Sequence, residues 1–253
     1  MRYIAHRDQN IYQCSLELQI LDEYLAYIEG SLSVTIQDVV SRLHSKEEYI
    51  ECDDGQPPFY LFDGLVLPDS ASMIFSRFLY HNYFLSLWAT YETGLKEIAM
   101  FLSMASGKEK FEKYIKNKKD ENKKKDKKER EDIKSFIIEI FKYFDEVHKI
   151  SMPTINHVNS QYLDNLYNLR NIIAHGNGRI KDSSKKNNGK LLKWILEQPE
   201  IIVDKNNWIL LNNKFDRGIY GELSSSFKKL YRLAYERAPD VDPRPVNSFV
   251  WHY

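Results

Sequence analysis

The sequence has few cysteines, no long apolar run and no net charge, and each of these absences excludes a class of protein. Only Cys14 and Cys52 occur in 253 residues, without a C-x-x-C pair or a nearby histidine cluster, so we expect neither a disulfide scaffold nor a zinc finger. No stretch of about 18 uncharged apolar residues is present, and the first residues lack the apolar segment of a secretory signal. We therefore predict a cytoplasmic protein without a membrane segment.

Several common catalytic motifs are also missing. The sequence contains no G-x-x-x-x-G-K-[ST] phosphate loop, no G-x-G-x-x-G after a strand, no H-E-x-x-H and no G-x-S-x-G. Neither a carboxylate cluster nor a histidine pair has the spacing of metal ligands, so we expect no metal and no cofactor. The common nucleotide-binding and hydrolase folds are therefore not indicated.

The composition is that of a globular chain, but its charge is unevenly distributed. Hydrophobic residues make up 43% and charged residues 28%, which is ordinary for a protein that buries one principal core. Residues 1–70 carry a net charge of −9, whereas residues 107–193 carry +9. Such segregation can guide a polyanion to one surface, although neutrality of the whole chain argues against a protein that coats nucleic acid non-specifically.

The spacing of apolar residues and breaker residues predicts a mostly helical chain in three parts. Residues 1–68 form an N-terminal helical extension of two helices separated by Gly30-Ser31, residues 69–238 form a helical bundle, and residues 239–253 form a tail rich in proline and aromatic residues. Two apolar runs around a polar turn predict a β-hairpin over residues 200–212. The predicted bundle helices span about 69–107, about 131–147, about 158–175 and about 219–237.

The most informative motif lies in residues 166–176. Arg170-Asn171 is followed by His175 four positions after the asparagine, on a predicted helix that Gly176-Asn177-Gly178 ends. In this motif the chain resembles the HEPN superfamily, whose ribonuclease members carry an arginine, four to six residues and then a histidine, often with a polar residue directly after the arginine. The resemblance extends to the helical bundle between about 70 and 237, and it implies an all-α, HEPN-like bundle with an N-terminal helical extension and a small β-hairpin insertion before the last helix.

The resemblance also implies a function. HEPN ribonucleases pool the motifs of two domains in one composite site, so it implies a metal-independent endoribonuclease that acts as a homodimer in a toxin or antiviral defence setting. In that site His175 would exchange protons, Arg170 would bind phosphate and Asn171 would orient the phosphate or the histidine. An antitoxin or defence-system partner is implied as well. Some HEPN antitoxins modify a tyrosine three residues after the motif histidine, but Gly178 stands there in this chain.

Helix geometry places the motif away from the predicted core. At about 100° per residue, one side of the helix carries an apolar stripe and the opposite side carries a polar column. Arg170 lies roughly 140° around the helix from His175, so an undistorted helix does not aim both side chains at one small group, and we expect a partner subunit or a bent helix end. The stripe comprises Tyr162, Leu166, Leu169 and Ile173, and the column comprises Asp164, Asn168, Asn171 and His175.

Other interpretations are left open by the sequence. The chain could be a catalytically silent HEPN-like binding or regulatory subunit, or a helical scaffold unrelated to the superfamily. In a purely structural role, Arg170 would pair with a neighbouring carboxylate and His175 would cap the helix C-terminus, where a cation is favoured.

The predicted helix over residues 69–107 contains two ionisable residues in an apolar stripe, His81 and Glu92. Because burying an unpaired carboxylate costs several kcal/mol, Glu92 is a candidate to hold Arg170 or His175 in place. Alternatively, the stripe turns outward at that point. We expect His81 to be a hydrogen-bonded structural residue, and His148 and His157, which flank a turn with a proline, to lie on the surface.

Residues 116–130 include nine basic and four acidic residues and no apolar residue, so this segment cannot pack into a core. We interpret it as a solvated loop or an exposed helical extension. The functional alternative is a contact with RNA phosphates, for which Lys123, Lys124 and Lys125 are the candidate residues.

Overall fold

The computed structural model describes residues 2–44, 49–50, 59–60, 68–124, 136–151, 159–180, 186–204 and 207–238. Most of these residues are helical, and the expected β-hairpin precedes the last helix, as the sequence predicted. Four short strands form two antiparallel pairs, β1 (Tyr49–Ile50) with β2 (Phe59–Tyr60) and β3 (Ile201–Val203) with β4 (Ile209–Leu211). The helices are α1 (Arg2–His44), α2 (Pro68–Ala105), α3 (Phe111–Lys124), α4 (Phe136–His148), α5 (Ser160–Gly176), α6 (Lys186–Leu196) and α7 (Asn213–Glu236).

Helix α2 lies at the centre of the fold, and α1, α4, α5 and α7 all pack against it. Its inner face carries large side chains that are fully buried, among them Phe84, Trp88 and Tyr91. Burying a side chain of this size stabilises a fold by roughly 1.5–3 kcal/mol, so α2 provides much of the main hydrophobic core. Among the described helices, none combines the length and the apolar character needed to cross a bilayer.

The N-terminal helix is continuous, so the predicted break at Gly30-Ser31 is wrong. Gly30 lies within α1 and is exposed, and a Cβ atom there would meet no side chain of the described residues within 4 Å. A single glycine costs a helix only about 1 kcal/mol, and Leu25 and Ile36 on either side of it are both buried. Packing therefore outweighs the local preference for a break. Side chains from the first half of α1 belong to the same core as α2, and the division at residue 68 stays a prediction.

Buried carboxylates tie α1 to its neighbours. Arg7 donates from Nη1 to both carboxylate oxygens of Glu97 in α2, at 2.8 and 2.6 Å, and the Asn10 amide donates to the same group at 3.1 Å. In the same part of α1, Asp8 accepts hydrogen bonds from the hydroxyl groups of Tyr231 and Tyr235 in α7. Both of these buried carboxylates thus have partners, which offsets the cost of removing them from water.

One segment for which the sequence predicted no helix contains one, and one predicted helix is longer. Helix α6 lies in the polar region after the motif and buries Leu191 and Ile195, which lie on one face because they are four residues apart. Helix α7 begins at Asn213 rather than near 219, since the Oδ1 atom of Asn212 caps it by accepting from the Phe215 N–H at 3.0 Å.

The expectation that His148 lies on the surface is wrong, whereas His157 lies outside the described residues. His148 ends α4 and is 1% exposed, with Nε2 3.1 Å from the hydroxyl of Tyr143. Burial, together with the nearby charges of Lys108 and Arg237, lowers the pKa of His148 to about 4. The predicted tail, residues 239–253, also lies outside the described part of the chain.

Candidate functional site

Helix α5 carries the motif, and its two ends are fixed by local interactions. At its start the Oδ1 atom of Asn159 accepts the N–H of Tyr162 at 2.8 Å. At its end Asn177 adopts a left-handed conformation with φ of 50°, and the Gly178 N–H donates to the Ile172 carbonyl at 3.1 Å. The helix is anchored in the core by four buried side chains, Leu163, Leu166, Leu169 and Ile173.

Arg170 and Asn171 contact each other directly. Nη1 of Arg170 donates to Oδ1 of Asn171 at 3.0 Å, and both side chains are half-buried. Among the described residues Arg170 makes no ion pair. The purely structural role requires a neighbouring carboxylate that pairs with Arg170, and the described part of this chain contains no such pair.

His175 lies in the last turn of α5 and is exposed, while the residues that precede it in the polar column, Asn168 and Asn171, are half-buried. The helix continues through Gly176. The bent helix end that could have brought His175 to the same side as Arg170 is therefore not observed. Within one subunit the two motif residues consequently lie about 140° apart around the helix.

The structure does not bring Glu92 to the motif. Glu92 is half-buried on α2, and within the described residues no hydrogen bond or ion pair joins it to Arg170 or His175. The carboxylate of α2 that is buried and paired is Glu97, and its partner is Arg7. Apolar spacing pointed to Glu92 and not to Glu97, which lies about 140° around the helix from it, because the partner that decides the pairing, Arg7, is 90 residues away in the sequence.

The lysine-rich segment is only partly described. Its first part forms the second half of α3, whose inner face buries Phe111 and Tyr114, and there Lys118 pairs with Glu146 at 3.1 Å. Lys123 and Lys124 form the end of α3, but the structure does not describe their side chains, and Lys125 lies outside the described residues. Their role in RNA binding stays a prediction.

The turn after the motif packs between α2 and the β3–β4 hairpin. Gly178 has a φ of 78°, and a Cβ atom there would lie 2.3 Å from Cε1 of His81. On the other side the Ile209 N–H donates to the Gly178 carbonyl at 2.8 Å. His81 itself is buried, as expected for a structural histidine, with Nε2 3.0 Å from the carbonyl of Ile209. Because a carbonyl oxygen can only accept, Nε2 carries the proton, and burial lowers the pKa of His81 to about 4.

A second group of side chains near this turn was missed by the sequence analysis. The Arg77 guanidinium lies 4.2 Å from the centroid of the Trp208 ring, and the Arg179 guanidinium lies 5.9 Å from it. We call Arg77, Arg179 and Trp208 the arginine–tryptophan cluster. Two weak signals were available in the sequence: an aromatic residue directly after a hairpin turn, and an arginine one helical turn before His81.

The described residues contain no group of three or more His, Cys, Asp or Glu side chains that could hold a metal ion. Comparisons of this chain with protein-family models, with curated proteins and with solved structures find no match. The functional argument therefore rests on the residues themselves.

Proposed function

We propose that this chain is a metal-independent endoribonuclease of the HEPN type, acting as a homodimer in a toxin or antiviral defence setting. One observation carries the proposal: the half-buried Arg170 guanidinium bonds to the Asn171 amide and to no carboxylate among the described residues, in the same helix end as the exposed His175. A guanidinium without a carboxylate partner retains N–H donors for a phosphate, which it can bind through its planar fork.

Asn171 has a positioning role in this proposal. Its Oδ1 atom accepts one N–H of Arg170, which fixes the guanidinium while leaving its other donors available. An asparagine can do this without neutralising the charge that the phosphate needs, whereas an aspartate there would compete with the substrate. This supports the assignment of Arg170 to phosphate binding.

Cleavage would use the 2′-hydroxyl of the RNA itself. The 2′ oxygen forms a bond to phosphorus while the bond from phosphorus to the 5′ oxygen breaks. One imidazole accepts the 2′ proton and an imidazolium donates a proton to the departing 5′ oxygen, as general acid–base catalysis requires. Arg170 stabilises the charge that develops on the phosphoryl oxygens.

A homodimer would place an arginine and a histidine of the motif around the same phosphate. Because Arg170 and His175 are about 140° apart on a regular helix, one motif cannot close around a phosphate. A two-fold axis beside the polar column of α5 would present two copies of each residue to one site, and two-fold dimers are the commonest closed oligomers. An antitoxin or a defence-system protein as a further partner is part of the proposal.

Purified variants test the proposal. We expect Arg170→Ala and His175→Ala each to abolish RNA cleavage, and Asn171→Ala to reduce it less, since it removes only the positioning contact. Melting temperatures within about 2 °C of wild type should accompany all three, because none of these side chains is buried. Arg232→Ala, on an exposed part of α7, is the matched control and should cleave normally. RNA binding without cleavage by the wild-type protein would instead favour a catalytically silent binding or regulatory subunit.

A further inference from the structure

Helix α1 carries a second apolar stripe, on the side that faces away from the core. It comprises Ile20, Tyr24, Tyr27 and Val34, which are between 52% and 76% exposed. With Ser31 these residues follow the 4-3-4-3 spacing of the a and d positions of a coiled coil. The buried Leu25 lies about 140° around the helix from Ile20, so packing on the core does not account for the stripe.

The small polar residue within the stripe is compatible with burial against another helix. The Oγ atom of Ser31 donates to the carbonyl of Ile28 at 3.1 Å. Because this bond lies within α1, a docked helix can cover the hydroxyl without leaving its donor unpaired.

The stripe borders a groove between α1 and α2. Tyr24 from α1 and Phe78 from α2 both line the groove, whose volume is about 370 Å³. Ile74 lies one helical turn before Phe78, and these two residues are 42% and 48% exposed. We call the stripe together with Ile74 and Phe78 the α1–α2 apolar face. It contains six of the eight large apolar residues that are exposed in the described part of the chain, and a contiguous patch of this kind marks an interaction site.

Acidic residues border the α1–α2 apolar face. Residues 8–41 include six acidic residues and no lysine or arginine. Glu17 lies about 60° around the helix to one side of Ile20, and Glu23 lies about 60° to the other side. Neither of these two carboxylates forms an ion pair within the described residues. Charges that flank an apolar seam in this way select a partner helix of opposite charge.

The same charges disfavour the other occupants of this face. A second copy of α1 would bring two acidic borders together, and like charges across an interface cost several kcal/mol. RNA or an anionic lipid surface would be repelled for the same reason. The basic helix of this chain, α3, uses its own apolar residues Phe111 and Tyr114 in the core, so a second copy offers no matching seam there.

We propose that the α1–α2 apolar face binds a basic amphipathic helix of a partner protein. Apolar side chains of that helix, at a and d spacing, pack on the stripe, and its lysine or arginine residues lie beside Glu17 and Glu23. The contact runs from Ile20 to Val34, which is about 21 Å of helix. It uses no residue of the motif on α5, so this inference goes beyond the proposed function and does not depend on it.

Two synthetic peptides of three heptads are the probes, each with leucine at the a and d positions. One peptide has lysine at every e and g position and the other has glutamate. We expect the lysine peptide to bind full-length protein at least about tenfold more tightly by fluorescence anisotropy, and its advantage to shrink as salt screens the charges. Failure of the lysine peptide to bind, or equal binding of the two peptides, overturns the proposal.

Variants of the protein show whether the peptide occupies this face. Tyr24→Ser with Tyr27→Ser removes two exposed rings and should weaken binding of the lysine peptide about tenfold or more. Glu17→Gln with Glu23→Gln should reduce the preference for lysine over glutamate and flatten the dependence on salt. Leu196→Ser removes a 71% exposed apolar side chain from α6 and should bind like wild type. Melting temperatures identify any variant that fails to fold.

The remaining outcomes separate this inference from the alternatives and from the proposed function. Unchanged peptide binding by Tyr24→Ser with Tyr27→Ser overturns the proposal. If these substitutions instead convert a dimer into a monomer in light scattering, the occupant is a second copy and the proposal is wrong. RNA cleavage by the same variants should remain at the wild-type level, so loss of peptide binding with intact cleavage supports this inference. A protein that binds the lysine peptide at this face but cleaves no RNA contradicts the proposed function alone.

Discussion

Asp216, in the first turn of α7, is fully buried, and neither of its carboxylate oxygens has a hydrogen-bond partner among the described residues. Burial, with a smaller contribution from the charge of Glu29, raises its pKa well above the ordinary value. A neutral acid is therefore the form that the fold accommodates. The hydroxyl of Tyr83 is likewise buried without a partner among the described residues, so the interior between α1, α2 and α7 contains polar atoms that lower the stability of the fold.

We predict that Asp216→Asn stabilises the protein at pH 7 by about 0.5–2 kcal/mol, the usual range of a stabilising substitution, because asparagine has the shape of the neutral acid and cannot ionise; this corresponds to a melting temperature roughly 1–8 °C higher. In wild type the raised folded-state pKa makes stability fall as pH rises above the unfolded value of about 3.9. The advantage of the variant should therefore shrink towards pH 4, where the carboxyl is protonated in both states. Calorimetry across this pH range is the measurement, with the exposed Asp145→Asn as control. A lower melting temperature of Asp216→Asn at pH 7 would contradict the account.

The turn that ends α5 depends on a contact between secondary-structure elements. Gly178 combines a left-handed backbone with the close approach of the His81 ring, so the residue type is restricted for two independent reasons. Gly176, two residues earlier, has neither restriction: a Cβ atom there would meet only Ile172, at 3.9 Å. Gly176 therefore serves as a control position for a substitution at Gly178.

Gly178→Ala should destabilise the fold by about 2–4 kcal/mol, because it adds left-handed strain to a clash with a buried ring. Gly176→Ala should instead be neutral or stabilise by up to about 1 kcal/mol, since alanine is the better helix former. Urea denaturation of both variants measures the difference. Equal midpoints for the two would show that His81 does not hold the turn.

The order of elements was largely predictable from the sequence, whereas contacts between distant elements were not. Helix α2, helix α5 and the β3–β4 hairpin follow from apolar periodicity, capping residues and a turn sequence, all of which are local. The burial of His148 and the stacking of Arg77 on Trp208 depend on how elements pack, and residue spacing does not encode that. For the same reason sequence spacing made Glu92 the candidate for a paired carboxylate, although the buried ion pair of α2 forms at Glu97.

For the whole molecule, the central expectation is a two-fold dimer through the polar column of α5. Asn168 lies in the middle of that column and is half-buried. We predict dimers at micromolar concentration by light scattering, and a shift towards monomer in Asn168→Lys, which places two like charges near the axis. Ser225→Lys, at an exposed position of α7, should leave the dimer intact. A monomeric wild-type protein with full cleavage activity would rule out the composite site.

The most direct test of the account is the chemistry of the RNA ends that purified wild-type protein produces in EDTA. Attack by the 2′-hydroxyl requires a 2′,3′-cyclic phosphate on one product and a 5′-hydroxyl on the other, and DNA of the same sequence, which lacks the attacking group, must remain intact. We predict these ends in EDTA, and no cleavage by His175→Ala under the same conditions. Cleavage that stops in EDTA, or products that carry a 5′-phosphate, would contradict the proposed mechanism.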